Sequence, residues 1–173
     1  MLTSRAFSQE DLKRAQALYG LRFPPDFIEF LSASRPMETY DWSLDNPAIW
    51  QMLNWPAEGL IFDVEHNALW LADWGPRPEN PEARAEVVCA VVHEAPPLIP
   101  VYSHRYIPAE PSEAGNPVFS VYQADIIVYG FNLKDYVGRE TGHWDEVEWP
   151  DQIKHIRFWS HLVELNNQPP SVC

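Results

Sequence analysis

The chain has 173 residues, enough for one domain with a proper core, and 46% of them are hydrophobic. It carries 25 acidic and 12 basic side chains, a formal net charge of −13, which argues against nucleic acid or an anionic membrane surface as a ligand. No apolar run is long enough to span a bilayer, and the N-terminus lacks the apolar core of a signal peptide, so we expect a cytoplasmic protein. The charge would instead attract a basic protein partner.

Helix signals dominate the first third of the chain. Ser8, with Asp11 three residues later, predicts a helix N-cap, and Gly20 predicts the end of that helix. Pro24-Pro25 predicts a second helix, with Phe27, Phe30 and Leu31 on its buried face.

The next segment is divided by a proline. Asn46 predicts the cap of a short helix at Pro47–Leu53. Pro56–Gly59 predicts a turn, and the apolar run Leu60–Val64 predicts a strand after it. A helix is then expected at Ala83–Val92, in which Cys89 would be an inert thiol in the core.

The C-terminal half contains two long β-type runs, Leu98–Ile107 and Val118–Tyr129, joined by a Pro/Gly/Asn-rich connection. A short helix should follow from Asn132 to Gly138, and a last amphipathic helix from Pro150 to about Leu165. This order predicts the α+β class: one domain with a mainly antiparallel sheet flanked by helices. Its core would cover residues 8–165, and residues 166–173 would form a flexible tail.

A polar cluster interrupts the first β-type run. Alternation along a strand would place Ser103 and Arg105 on one face, and His104 and Tyr106 on the other. His104 could be polarised by Glu110 or Glu113 and transfer protons, as in a small acid–base hydrolase. Alternatively, His104 and Arg105 fix the long connection through hydrogen bonds and ion pairs. We favour the structural interpretation, because no nucleophile of fixed spacing accompanies the pair.

Metal and cofactor sites are not indicated. Asp63, Glu65 and His66 combine oxygen ligands with an imidazole, but the chain has no HExxH, CxxC or EF-hand spacing. No glycine-rich phosphate loop occurs either. Asp151 and His155, four residues apart on the predicted last helix, are most simply a surface pair. We therefore expect no metal and no cofactor.

Acidic and basic residues are unevenly distributed. The interval from Pro36 to Pro76 has no Lys or Arg but has seven acids and five tryptophans, and a second interval without bases runs from Tyr106 to Leu133. Within the first interval, Trp70 and Trp74 flank Asp73. Tryptophans in this setting either close a small core or form a binding hot spot. With a carboxylate, they could also line a pocket for a small cationic ligand.

Three segments carry a resemblance to a known family: FPPDFIEFL at Phe23–Leu31, WPAEGLIFDVEHNALWLADWGP at Trp55–Pro76, and the two β-type runs with their connection at residues 98–130. Together they resemble the SUKH superfamily over roughly residues 8–140. That superfamily unites fungal cell-wall synthesis regulators with bacterial immunity proteins that bind and neutralise toxins, many of them nucleases.

The resemblance implies a non-catalytic protein-binding domain. In the immunity case, its partner would be a basic, nuclease-like toxin, to which an acidic and aromatic surface is complementary. The residues predicted to contact the partner are Glu65, Trp70, Asp73, Trp74, His104, Tyr106 and Glu110.

Overall fold

A computed structural model describes residues 2–143 and 149–167 of the chain. Within these ranges lie six α-helices: α1 Gln9–Tyr19, α2 Pro25–Ser32, α3 Pro47–His66, α4 Pro81–Glu94, α5 Leu133–Thr141 and α6 Trp159–Asn166. The six strands are β1 Leu2–Thr3, β2 Thr39–Tyr40, β3 Leu98–Tyr102, β4 Arg105–Pro108, β5 Val118–Tyr122 and β6 Asp125–Gly130. Strands β1 and β2 form a small antiparallel pair, and β3-β4-β5-β6 form an antiparallel meander. The α+β prediction is confirmed.

Local sequence signals located four helices correctly. Ser8 and Asp11 form a capping box at the start of α1, and Gly20 ends that helix at φ +65°. Asn132 caps α5 through the amide of Asp135. Helix α2 begins at Pro25, and α4 spans the predicted 83–92 segment.

The predicted turn at Pro56 and the strand after it are wrong, because α3 runs through the proline without interruption. In a helix, the amide of residue 56 would donate to the carbonyl of Met52, but proline has no N–H. The hydroxyl of Tyr106 donates to that carbonyl instead, at 2.8 Å. Tyr106 thus satisfies the acceptor that Pro56 leaves open, and the helix continues to His66.

Each of the two long β-type runs is a hairpin, not a single strand. The first turns at Ser103-His104 between β3 and β4, and the second at Gln123-Ala124 between β5 and β6. Ser103 and Gln123 both take left-handed backbone conformations, with φ of +48° and +58°. The predicted alternation of faces across Ser103 and His104 is therefore wrong.

The last helix begins at Trp159, nine residues after the predicted start at Pro150. Phe158 has φ +70° and ψ −58°, and the Trp159 amide donates to the Arg157 carbonyl at 2.9 Å. This γ-turn is the strained, positive-φ kind. Asp151 and His155 thus do not share a helix. Of the predicted flexible tail, residues 168–173 lie outside the described residues.

Two hydrophobic clusters flank the meander. One contains residues of α1 and α2 with Trp42 and Ile49, and the other contains residues of α4 and α6 with Leu60 and Val64. Helix α3 contributes to both clusters. Cys89 lies on the exposed side of α4, so its predicted core position is wrong. None of the described helices is long and apolar enough to cross a membrane.

Candidate functional site

The predicted contact residues Glu65, Trp70, Asp73 and Trp74 lie in a region that is rich in bases. Arg84, on α4, donates from Nε and one terminal nitrogen to the two oxygens of Glu65, both at 2.6 Å. These hydrogen bonds lower the pKa of the Glu65 carboxyl. The guanidinium of Arg77 lies 6.0 Å from the Trp70 ring centroid. Glu65 is therefore already paired within the protein.

The two tryptophans pack edge to face, with ring centroids 5.4 Å apart, and both are half-buried. Trp70 Nε1 donates to the Gly75 carbonyl at 2.8 Å. Trp74 and the exposed Asp73 line a cavity of about 450 Å³ between α4 and α6, which also contains Arg157 and His161. We call this cavity, lined further by Leu71, Val91, Glu94 and Phe158, the α4–α6 groove. Its charge is mixed.

Tyr106 does not fit the prediction of a contact residue. Its side chain is fully buried, and its hydroxyl is bonded to the Met52 carbonyl. Burial raises the pKa of this hydroxyl. Its role is to complete α3, so it is excluded from any surface site.

His104 occupies the β3–β4 turn, where its Nδ1 lies 3.1 Å from the Ser103 hydroxyl. Burial, followed by the charge of Arg105, lowers the pKa of the imidazole. The acids proposed to polarise His104 lie elsewhere. Glu110 is exposed beyond the far end of β4, and this strand alone spans about 13 Å. Glu113 pairs with Lys154 at 2.8 Å.

A different surface brings together the acidic and aromatic residues of the two intervals without bases. Helix α3, from the first interval, packs against the β5–β6 turn, from the second. Asp63 on α3 accepts from the Ala124 amide at 2.7 Å, and Trp55 Nε1 donates to the Val121 carbonyl at 3.2 Å. A methyl group on Gly59 would lie 2.8 Å from Gln123 Cα, so the glycine permits this close approach.

Two adjoining cavities open on this surface. The smaller, about 180 Å³, is lined by Trp55, Glu58, Gly59, Phe62, Tyr122 and Gln123. The larger, about 420 Å³, shares Tyr122 and Gln123 and extends to Asp125 and the buried Asp63. We define the acidic–aromatic surface as Trp55, Glu58, Phe62, Tyr122, Gln123 and Asp125.

The acidic–aromatic surface has exposed rings and two acids without an ion-pair partner in the described part of the chain. Phe62 is 45% exposed and Tyr122 is 55% exposed. Among the described residues, no Lys or Arg lines either cavity, and neither Glu58 nor Asp125 forms an ion pair. Of the residues predicted to contact a partner, His104 reaches this surface, with its ring centroid 6.4 Å from that of Tyr122. Phe62, Tyr122 and Asp125 were not among the residues that the sequence predicted to contact a partner.

No group of three or more metal-ligating side chains is placed to hold an ion within residues 2–143 and 149–167. Comparisons with protein families, with curated proteins and with solved structures gave no match for the chain.

Proposed function

We propose that the protein is a non-catalytic binding domain that recognises a basic protein through the acidic–aromatic surface. The main support for the proposal is that α3, from the first base-free interval, packs against the β5–β6 turn, from the second. There, Glu58 and Asp125 form no ion pair with any residue that the structure describes, and they lie beside the exposed rings of Phe62 and Tyr122. Exposed aromatic rings anchor protein interfaces, and unpaired acids steer a basic partner toward them.

The other acids of the first interval support this placement, because several are already engaged within the fold. Asp41 accepts from Ser43, Asp45 from the indole of Trp50, and Glu65 from Arg84. An acid that is paired internally must lose that partner before it can bind a new one, whereas Glu58 and Asp125 have no such partner to lose among the described residues.

The resemblance to the SUKH superfamily suggests the kind of partner. An immunity-type protein would bind a toxin, and a nuclease toxin needs a basic surface to hold phosphates. An acidic–aromatic surface would cover such a basic surface and block access of nucleic acid to it. The enzymatic alternative has less support, because His104 is separated from Glu110 and Glu113 along the fold.

The test is a comparison of charge-reversal variants. The wild-type protein and the double variant Glu58→Lys/Asp125→Lys are immobilised and exposed to native lysate at low salt, and the captured proteins are identified. The matched control, Asp73→Lys/Glu94→Lys, makes the same change in net charge in the α4–α6 groove. We expect a basic protein that is retained by the wild type and the control, released by moderate salt, and absent from the first variant.

The proposal would be contradicted if the variant at Glu58 and Asp125 retained the same proteins as the wild type. It would also be contradicted if only the control lost them, since recognition would then occur at the α4–α6 groove. A captured partner with nuclease activity would next be assayed with and without one equivalent of the protein. Inhibition of that activity would extend the proposal to toxin neutralisation.

A further inference from the structure

The smaller cavity of the acidic–aromatic surface has the size of a pocket for one side chain. Its volume is about 180 Å³, below the range of about 300–1,000 Å³ found for pockets that hold drug-sized ligands. Helix α3 provides one wall, with Trp55, Gly59 and Phe62 at helical spacing, and the β5–β6 turn provides the other. A cavity of this size has room for a single side chain but not for a drug-sized ligand.

The walls are suited to a cation. The rings of Trp55 and Tyr122 are 6.2 Å apart between centroids and inclined at 57°, and Phe62 lines the same cavity. The bond from Trp55 Nε1 to the Val121 carbonyl fixes the tryptophan side chain in place. Aromatic rings attract cations through their quadrupoles, and tryptophan does so most strongly.

A carboxylate completes the pocket. Glu58 lies between Trp55 and Phe62 along the helix and is exposed, and its carboxylate makes no hydrogen bond or ion pair with another described residue. The side-chain amide of Gln123 is similarly unengaged by the described residues. Its backbone, at φ +58°, is in a conformation that non-glycine residues seldom adopt and that recurs at functional sites.

We propose that this cavity binds the guanidinium group of an arginine from the basic partner. A guanidinium is planar, so it can stack on an aromatic ring while its edge donates two parallel hydrogen bonds to a carboxylate. A lysine ammonium can interact with the carboxylate charge, but it cannot stack on the ring and donate two parallel hydrogen bonds at the same time. This inference rests on the proposed function and names the residue that the partner inserts.

Three short peptides with blocked ends serve as probes: Gly-Arg-Gly, Gly-Lys-Gly, and Gly-citrulline-Gly. Citrulline has almost the shape of arginine but no charge. Each is titrated into the ¹⁵N-labelled protein and followed by NMR. With the arginine peptide we expect saturable shifts of the Trp55 indole and the amides of Gly59 and Gln123. Affinity should be at least about fivefold weaker for lysine, and no saturable shift should occur with citrulline.

The substitution Glu58→Gln keeps the shape of the side chain and removes its charge. Loss of a charged hydrogen bond should weaken arginine binding by about tenfold or more. The matched control is Glu86→Gln on the exposed side of α4, which should bind the arginine peptide like the wild type. Thermal melts of both variants check that the fold is intact.

Equal shifts with arginine and citrulline, or equal affinity in the wild type and Glu58→Gln, would overturn the arginine pocket. Shifts confined to the α4–α6 groove would also overturn it. These results are separable from the capture test. Suppose that Glu58→Lys/Asp125→Lys abolishes partner binding but the protein binds the arginine, lysine and citrulline peptides equally. The proposed recognition surface would then be supported, and only the arginine pocket would be rejected.

Discussion

Tyr106 and Pro56 show how one hydroxyl group can determine the course of a helix. The proline removes a donor from the middle of α3, and the Tyr106 hydroxyl replaces it at the Met52 carbonyl, 2.8 Å away. Pro56 and Tyr106 are buried and Met52 is half-buried, so the access of water to this carbonyl is restricted.

The substitution Tyr106→Phe should therefore destabilise the protein by about 1–3 kcal/mol, because it leaves the part-buried Met52 carbonyl without its donor. In a Pro56→Ala background, the restored amide of residue 56 can bond to Met52. The same substitution should then cost less than half as much. Urea unfolding of the four proteins in this double-mutant cycle measures the difference. Equal costs in the two backgrounds would show that the hydroxyl does not substitute for the missing amide.

His104 should make stability depend on pH. Its pKa is lowered in the folded protein, first by burial and then by Arg105, so the unfolded chain binds the proton more readily. The stabilising contribution is present above the unfolded pKa of about 6.5 and is lost as the pH falls below it. Between pH 7.5 and 5.5, the wild-type melting temperature should therefore fall further than that of His104→Asn. Parallel pH profiles for the two proteins would contradict this assignment.

At the scale of elements, the contact between α3 and the β5–β6 turn builds the proposed site. Gly59 is the point of closest approach, and an added methyl group would meet the backbone of Gln123 at 2.8 Å. Neither the helix nor the turn can yield there without disturbing the bonds of Asp63 and Trp55 to the hairpin.

The substitution Gly59→Ala should change stability in the direction opposite to the one usual inside a helix. Replacing glycine by alanine inside a helix normally gains about 1 kcal/mol. Here we expect a loss of about 1–3 kcal/mol, because the new methyl group overpacks the contact. The free energy of unfolding, measured with urea, distinguishes the two signs. A gain in stability would indicate that the helix and the turn are not in close contact.

The elements that the sequence predicted correctly are those with local determinants. Capping residues lie within a few positions of the helix ends they define, as Ser8 and Asn132 do. The wrong predictions depend on distant partners or on unusual backbone geometry. Helix α3 needs Tyr106, which is 50 residues beyond Pro56, and the hairpins turn at Ser103 and Gln123 in place of the expected glycine or asparagine.

At the scale of the whole molecule, a stretch of sequence without bases does not define a surface without bases. In the folded protein, Arg77, Arg84 and Arg157 lie close to residues 65–74. The predicted contact residues in that segment therefore form a surface of mixed charge. The sequence predicts that the interval from Pro36 to Pro76 contributes to recognition, and the proposed surface takes Trp55, Glu58 and Phe62 from it. It could not show that the second base-free interval packs beside α3.

Hydroxyl-radical footprinting, read by mass spectrometry, is the most direct test of where the basic partner binds. Both surfaces contain aromatic side chains that the method labels: Phe62 and Tyr122 on the acidic–aromatic surface, and Trp74 and Phe158 in the α4–α6 groove. The protein is labelled alone and in complex with its captured partner. We predict protection of Phe62 and Tyr122, with Trp74 and Phe158 labelled equally in both states. Protection of Trp74 and Phe158, with Phe62 and Tyr122 unchanged, would contradict the proposed recognition surface.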